Sequence, residues 1–410
     1  MKQQSSLRDF LFNVYGYSFF NCLVFMYPVY MLFFSNSGVS DAGKSVLLIL
    51  WSLFVVAVQI PVLSIANRVS RKSIMVVTSM LKLLCFGVWI IWPTFWGFAF
   101  GFLLWGIHWA AWNVVWEAML YDELQARQRK TIYTKVVGRK SAVECVAYII
   151  AATGSLMLPM GYGTIAAATM GAMLVSVWFM LRMNPKAANI PKRKAKVVKS
   201  LRLAGNVLRR VPYILYLLIL CNLLYGFSQI DEYLGLIGVE MGVQPELVGG
   251  LFIIALIFQT LGNAVADKFE CVSDKRLYGG VMGIGLIMIL MAAVYSMPGL
   301  AFFAMFYFCY AIVRVLVYTR FQHAIPSSSR GAFLSIYSFC EQGTVILSYS
   351  LFIAGVMMGG GYRMGIFLSG LASILVGLWA MMYIPKKKRI YDRLMSFREC
   401  QRCAAADSRT

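Results

Sequence analysis

The chain has 410 residues, of which 60% are AVILMFWYC and 13% are Asp, Glu, Lys or Arg, with a formal charge of +21. A mean hydropathy of +0.71 excludes a soluble enzyme, a disordered chain and a nucleic-acid-binding domain, because the basic residues sit between long apolar blocks rather than on an amphipathic face. The composition is that of a polytopic membrane protein.

A helix needs about 20 residues to cross about 30 Å of hydrocarbon. Twelve such blocks follow in chain order, near 10–34, 45–66, 73–92, 95–120, 139–159, 162–182, 211–233, 247–266, 277–296, 299–321, 331–355 and 363–384. The first is too long for a signal h-region and no A-x-A site follows it, so it reads as a retained helix. Turn chemistry marks the breaks, as at Trp92-Pro93, Pro159-Met160-Gly161, Met297-Pro298-Gly299 and Gly359-Gly360-Gly361. The blocks are too long for barrel strands, and only helices or closed barrels satisfy the backbone in lipid. The expected fold is therefore all-α, with 12 transmembrane helices in two six-helix bundles.

All but four of the 38 Lys and Arg residues lie in the N-terminal segment, the even-numbered connections or the tail; the exceptions are Lys44, Lys82, Arg314 and Arg363. By the positive-inside bias both termini are cytoplasmic. The absence of an N-x-[ST] sequon sits well with a bacterial inner membrane. The longest connection divides the chain into bundles 1–183 and 211–384, with a basic cytoplasmic linker 184–210 and a basic tail 385–410. Charged turns recur at matching places in each half, Ala66 to Lys72 against Ala266-Asp267-Lys268, and Gly138-Arg139-Lys140 against Ser329-Arg330-Gly331. This reads as an internal duplication, the usual build of secondary transporters.

Nine Cys are present. Six lie inside apolar runs, where thiols act as small hydrophobes. Cys400 and Cys403 form a C-x-x-C in the tail without His nearby, so they read as two reduced thiols and no metal site is expected. No G-x-x-x-x-G-K-[ST] occurs, so ATP is not a direct energy source. No cofactor is implied and no enzymatic constellation is found.

Three segments carry a resemblance to a known family. Asn67-Arg68-Val69-Ser70-Arg71-Lys72, with Leu63 ahead of it, looks like the loop 2–3 signature G-x-x-x-D-R-x-G-R-R/K, with Asn67 in place of Asp, Ser70 in place of Gly and Leu63 in place of the leading Gly. Glu117 to Leu124 followed by Tyr133 to Arg139 is similar to a run in many bacterial members, often efflux carriers. Pro326-Ser327-Ser328-Ser329-Arg330-Gly331 resembles the helix 10–11 turn. Together they resemble the major facilitator superfamily. The resemblance implies two bundles rocking about a cavity lined by helices 1, 2, 4, 5, 7, 8, 10 and 11. It also implies a cytoplasmic latch, Arg68 or Arg71 with Asp122, against the bland alternative of solvated anchors.

A charge in the bilayer core costs at least about 2.5–3.5 kcal/mol, so each one needs a reason. Arg314 and Glu341 stand at roughly matched depths, roughly 12 and 15 Å from the nearer ends of their helices. They suggest an ion pair or two groups bridged by a substrate charge, with protonation of Glu341 releasing Arg314. Glu117 and Glu144, near Arg139 and Lys140, read equally as coupling residues or as a structural ion-pair network. Asn13, Tyr17 and Asn21 form one stripe facing either a watery cavity or another helix. Gln59, His108, Asn113, Gln229, Gln259 and Asn263 complete the candidate cavity set. Asp231 and Glu232 read as solvated rim charges or cavity groups. Trp105, Trp109, Trp112 and Trp116 form an aromatic stripe that favours packing over a ligand box, and Lys82 has no account. The function expected is secondary-active transport of a small organic molecule, proton-coupled export leading, with import of a metabolite or a non-transporting receptor as alternatives. The partners expected are the small-molecule substrate, protons and membrane lipid, with no nucleic acid, and the chain acts as a monomer.

Overall fold

The structure, a computed structural model, describes residues 2–66, 68–184, 205, 208–209, 211–325 and 330–407. Asn67, nearly all of the 184–210 linker, the 326–329 turn and the Cys400 and Cys403 side chains lie outside the described residues. Among the described residues there are helices and turns and no strand.

The first block folds as two helices, α1 (Lys2–Cys22) and α2 (Tyr30–Asn36), separated by a non-helical segment at 23–29. Pro28 lies in that break, where its missing N–H and fixed φ oppose a continuous helix. Next come α3 (Asp41–Ala66), α4 (Arg71–Ile91) and α5 (Phe95–Ala111). Ser70 caps α4 by accepting from the Ser73 amide, and Thr94 caps α5 by accepting from the Gly97 amide. A π-helical turn, Trp112–Trp116, joins α5 to α6 (Glu117–Ala126). Then follow α7 (Tyr133–Ala152) and α8 (Tyr162–Arg182). Gly161 separates them at φ +86°, a value that side-chain-bearing residues rarely adopt.

The second half holds α9 (Pro212–Ser228), α10 (Leu234–Glu240), α11 (Val248–Val265), α12 (Asp274–Ala293), α13 (Leu300–Ala324), α14 (Arg330–Met357) and α15 (Gly361–Asp407). Among the described residues, eleven rods are long and apolar enough to cross a membrane. The broken α1–α2 block accommodates a twelfth crossing. Ile60, Ile91, Trp96 and Met160 are among the apolar side chains left widely exposed, as a lipid-facing surface requires.

Packing groups the chain into two compact units. The first comprises 1–195 with 230–256 and 352–362, and the second comprises 196–229, 257–351 and 363–410. In the first unit Val14, Tyr17, Trp116, Leu120 and Leu124 are fully buried together. In the second unit α12 and α15 touch backbone to backbone. A Cβ on Gly285 would lie 2.4 Å from the Gly370 carbonyl oxygen, and one on Gly370 would lie 2.7 Å from that of Gly285. Small residues at such crossings let helices associate where lipid supplies no hydrophobic drive.

Candidate functional site

Within the first unit the polar stripe of α1 is buried and faces its neighbours. Asn13 donates to the Asp9 carbonyl of its own helix, at 2.8 Å. The Tyr17 hydroxyl pairs with the Ser79 hydroxyl of α4 at 3.0 Å. The carbonyl of Asn21 accepts from the Lys82 ammonium at 2.6 Å. Of the stripe, the Tyr17 side chain bonds to another helix, Asn13 bonds within α1, and Asn21 contributes its backbone carbonyl. Lys82 thereby finds its role: it donates to a carbonyl at the end of α1, where the helix breaks and its last carbonyls lack helical partners. The ammonium also lies 5.7 Å from the centre of the Trp105 ring.

The π turn brings Trp112 and Trp116 to the same tyrosine, with ring centres 5.8 and 4.7 Å from that of Tyr17. Trp105 contacts Phe86, Trp89 and Phe102, and Trp109 contacts Trp51. The tryptophan stripe is thus packing surface within this unit. His108 is buried beside Trp112. The Thr78 backbone lies next to its ring, yet neither ring nitrogen reaches hydrogen-bond geometry with a protein atom. Lys140 of α7 binds Glu117 of α6 at 2.6 Å and Glu144 one turn on at 3.2 Å, above the Trp112 ring. Gln59 is half-buried and Asn113 is exposed.

At the ends of α4 and α6, Arg71 binds Asp122 at 2.5 Å. Arg68 is exposed and takes no part in that pair. Lys72 caps the end of α8, donating to the Leu181 and Met183 carbonyls. Arg127 pairs with Glu123 at 3.5 Å and lies over the Phe10 ring. Burial lowers its guanidinium pKa below the ordinary value, and the Glu123 carboxylate opposes that shift.

A second polar belt holds 230–256 and 352–362 inside the first unit. Glu232 accepts from the hydroxyls of both Tyr27 and Tyr30. Tyr233 donates to the Ser45 hydroxyl at 2.8 Å. Tyr362 donates to Asp41, which also binds Lys44 at 2.7 Å. Ser155 donates to the Glu246 carbonyl and accepts from the Gly249 amide. Glu232 is thus half-buried and held by two tyrosine hydroxyls, and Asp231 is half-buried beside it. The sequence offered no signal for these partners beyond the tyrosines themselves.

In the second unit the Arg314 guanidinium lies 5.6 Å from the centre of the Tyr225 ring. Tyr310, Tyr337 and Glu341 share its electrostatic surroundings. Arg314 and Glu341 are thus brought into one neighbourhood, although no ion pair within 4 Å joins them among the described residues. Gln229 is buried and accepts from Tyr349 at 3.0 Å. The Asn222 carbonyl accepts from Thr344 at 2.8 Å. Gln259 is half-buried and Asn263 is exposed. At the ends of α12 and α13, Asp274 binds both Arg320 and Lys388, the latter at 3.0 Å.

The sequence model of the Major Facilitator Superfamily matches residues 10–349. The chain belongs to that superfamily. No curated protein matches it. Solved structures agree on the fold. A bacterial homologue of the human lysosomal transporter Spinster, inward-facing and unoccupied, aligns with TM-score 0.69 at 15% identity, covering 95% of this chain and 98% of that one. The nucleoside transporter NupG aligns with TM-score 0.71 at 11% identity, covering 93% and 99%. A D-xylose–proton symporter aligns with TM-score 0.67 at 13% identity, covering 93% and 98%. At these identities the likeness establishes the fold alone. Membership of the superfamily makes the chain a multi-pass secondary transporter of a small molecule and not an enzyme.

Proposed function

We propose that this superfamily member exports a small organic molecule by alternating access, driven by protons, from a bacterial inner membrane with both termini cytoplasmic. The observation that carries the coupling is the Arg314–Glu341 neighbourhood. Two opposite charges share tyrosine-lined surroundings without closing an ion pair. Such an arrangement lets a proton or a substrate charge decide which partner Arg314 faces. Asn13, Tyr17, Asn21, His108 and Gln229 are buried, so their part is to hold helix positions, whereas Gln59, Asn113, Gln259 and Asn263 retain surface for a ligand. Arg71 with Asp122 is the latch candidate. The pair closes within the first unit while the Glu232 and Tyr362 bonds of that unit are also formed, so the latch needs more than this pair to select one state.

Proton-coupled uptake is the second reading, favoured by the likeness to a D-xylose–proton symporter. The test is flux in reconstituted vesicles, screened with radiolabelled sugars, nucleosides and amino acids and with fluorescent organic cations. For any compound carried, Glu341→Gln is expected to abolish flux driven by a pH gradient and to spare counterflow exchange. Unchanged gradient-driven flux in that variant removes Glu341 from the mechanism. The direction of gradient-driven movement decides between export and uptake.

A further inference from the structure

In the second unit, helices α9, α13 and α14 bring two opposite charges to one level without joining them. Only residues 325–329 separate α13 from α14, so the two run antiparallel. Their register is fixed where the Tyr318 and Tyr337 rings meet, with centres 5.7 Å apart. Arg314 lies one turn before Tyr318 and Glu341 one turn after Tyr337, so both charges belong to the same layer. The remaining helix, α9, closes that layer. The Arg314 guanidinium lies over its Tyr225 ring, 5.6 Å from the centre. The Thr344 hydroxyl of α14 lies 2.8 Å from the backbone carbonyl oxygens of both Asn222 and Glu341, and so ties α9 to α14. Gly226 permits the approach, since a Cβ there would lie 2.8 Å from the Thr344 carbonyl oxygen.

The charged groups of this layer keep spare bonding capacity. A guanidinium carries several N–H donors. Among the described residues Arg314 has an aromatic face beside it but no hydrogen bond or ion pair, and the Glu341 carboxylate has neither as well. Both residues are half-buried, so neither is sealed from a ligand. The Asn222 side chain is buried and its oxygen has no hydrogen-bond partner. It stands one turn from Tyr225 on the same face of α9.

A charge within the membrane needs a partner. A neutral sugar leaves both Arg314 and Glu341 without one. An anion or a cation answers one of them and strands the other. A molecule that carries both signs answers both and leaves the layer neutral.

We propose that the transported molecule is a zwitterion of amino-acid type, with its carboxylate on Arg314 and its ammonium on Glu341 and the Asn222 side-chain oxygen. The inference rests on the reading of this neighbourhood as the transport site, and it names the class of compound carried there. A guanidinium matches a carboxylate with two parallel bonds, and a compact ammonium can serve two oxygens at once. Tyr225 and Tyr337 supply apolar ring surface beside the charged ends.

Equilibrium binding to the purified full chain in detergent tests this without a gradient. The probes are the common L-amino acids and glycyl dipeptides, read by the rise in unfolding temperature that a bound ligand causes. For each probe that binds, the methyl ester removes the carboxylate and the N-acetyl derivative removes the ammonium. On the unmodified chain each blocked form is expected to bind about tenfold more weakly or worse, as loss of a charge-assisted pair requires. Arg314→Gln is expected to abolish the preference for the free acid over the ester and to keep the preference for the free amine. Glu341→Gln is expected to do the reverse. No stabilisation by any probe, or blocked forms that bind as well as the parent compound, overturns the inference, and neither result depends on a variant that folds. Variants that erase both preferences together, or neither, also overturn it. Failure of the export reading looks different: both preferences are present while no pH gradient moves the bound compound.

Discussion

Two helix junctions occupy matching places in the two units and differ in polarity. In the first unit Arg71, the first residue of α4, binds Asp122, four residues from the end of α6. In the second, Asp274, the first residue of α12, binds Arg320, four residues from the end of α13. The geometry is repeated and the charges are exchanged. Helix dipoles favour acids at N-termini and bases at C-termini. The second junction therefore works with both dipoles and the first against both. The second is also more enclosed, with side chains 18–20% exposed against 26–40%, and it gains Lys388 as a third member. Each unit has a clasp between helix ends at this place, and the sign of each partner differs between them. The clasp with the weaker electrostatic support, Arg71–Asp122, is the one better suited to opening during a cycle.

The widest separation is expected from removing the acids. Asp274→Asn leaves Arg320 and Lys388 facing each other and is expected to cost on the order of 1–3 kcal/mol. Asp122→Asn is expected to cost about 0.2–1 kcal/mol, as exposed pairs do. Thermal unfolding of the purified protein in one detergent reads both, and equal losses would erase the contrast. Exchanging the partners comes next. Arg71→Asp with Asp122→Arg is expected to hold or raise stability by about 0.3–1 kcal/mol, since each charge then suits its helix end. The same exchange at Asp274 and Arg320 is expected to lower stability, because the dipoles oppose it and Lys388 meets an arginine. Two exchanges that move the melting temperature in the same direction would remove the dipoles from the account. Salt sharpens the comparison at smaller scale. Raising ionic strength from about 0.05 to about 1 M is expected to shrink the Asp122→Asn loss more than the Asp274→Asn loss, because exposed pairs are screened first. Lys388→Ala is the mildest change, about 0.2–1 kcal/mol for a half-exposed ion pair, measured by the same unfolding series.

Much of the fold could be read along the chain. The apolar blocks from 45–66 onward each correspond to a rod of membrane length, and Trp92-Pro93 and Gly161 end helices as their chemistry requires. The break at 23–29 was not visible, because one Pro within an apolar run does not say whether a helix bends or stops. The π turn at Trp112–Trp116 was hidden for a similar reason, since it leaves composition unchanged. For the candidate site, the choice of Arg71 over Arg68, the clustering of Arg314 with Glu341 and the triad at Lys140 all involve residues the sequence singled out. The roles of Lys82 and Glu232 were illegible. Their partners, Asn21, Tyr27 and Tyr30, lie more than 60 residues away in the chain.

Hydrophobicity and charge order are properties of consecutive residues. The sequence alone therefore determined a helical membrane protein with basic even-numbered connections and a superfamily signature. Which buried charge meets which carbonyl depends on distances between helices, and no local pattern encodes those. Only the tertiary structure decided that Lys82 closes the end of a broken helix, that Glu232 is held by two tyrosines, and that the two junctions carry opposite charge.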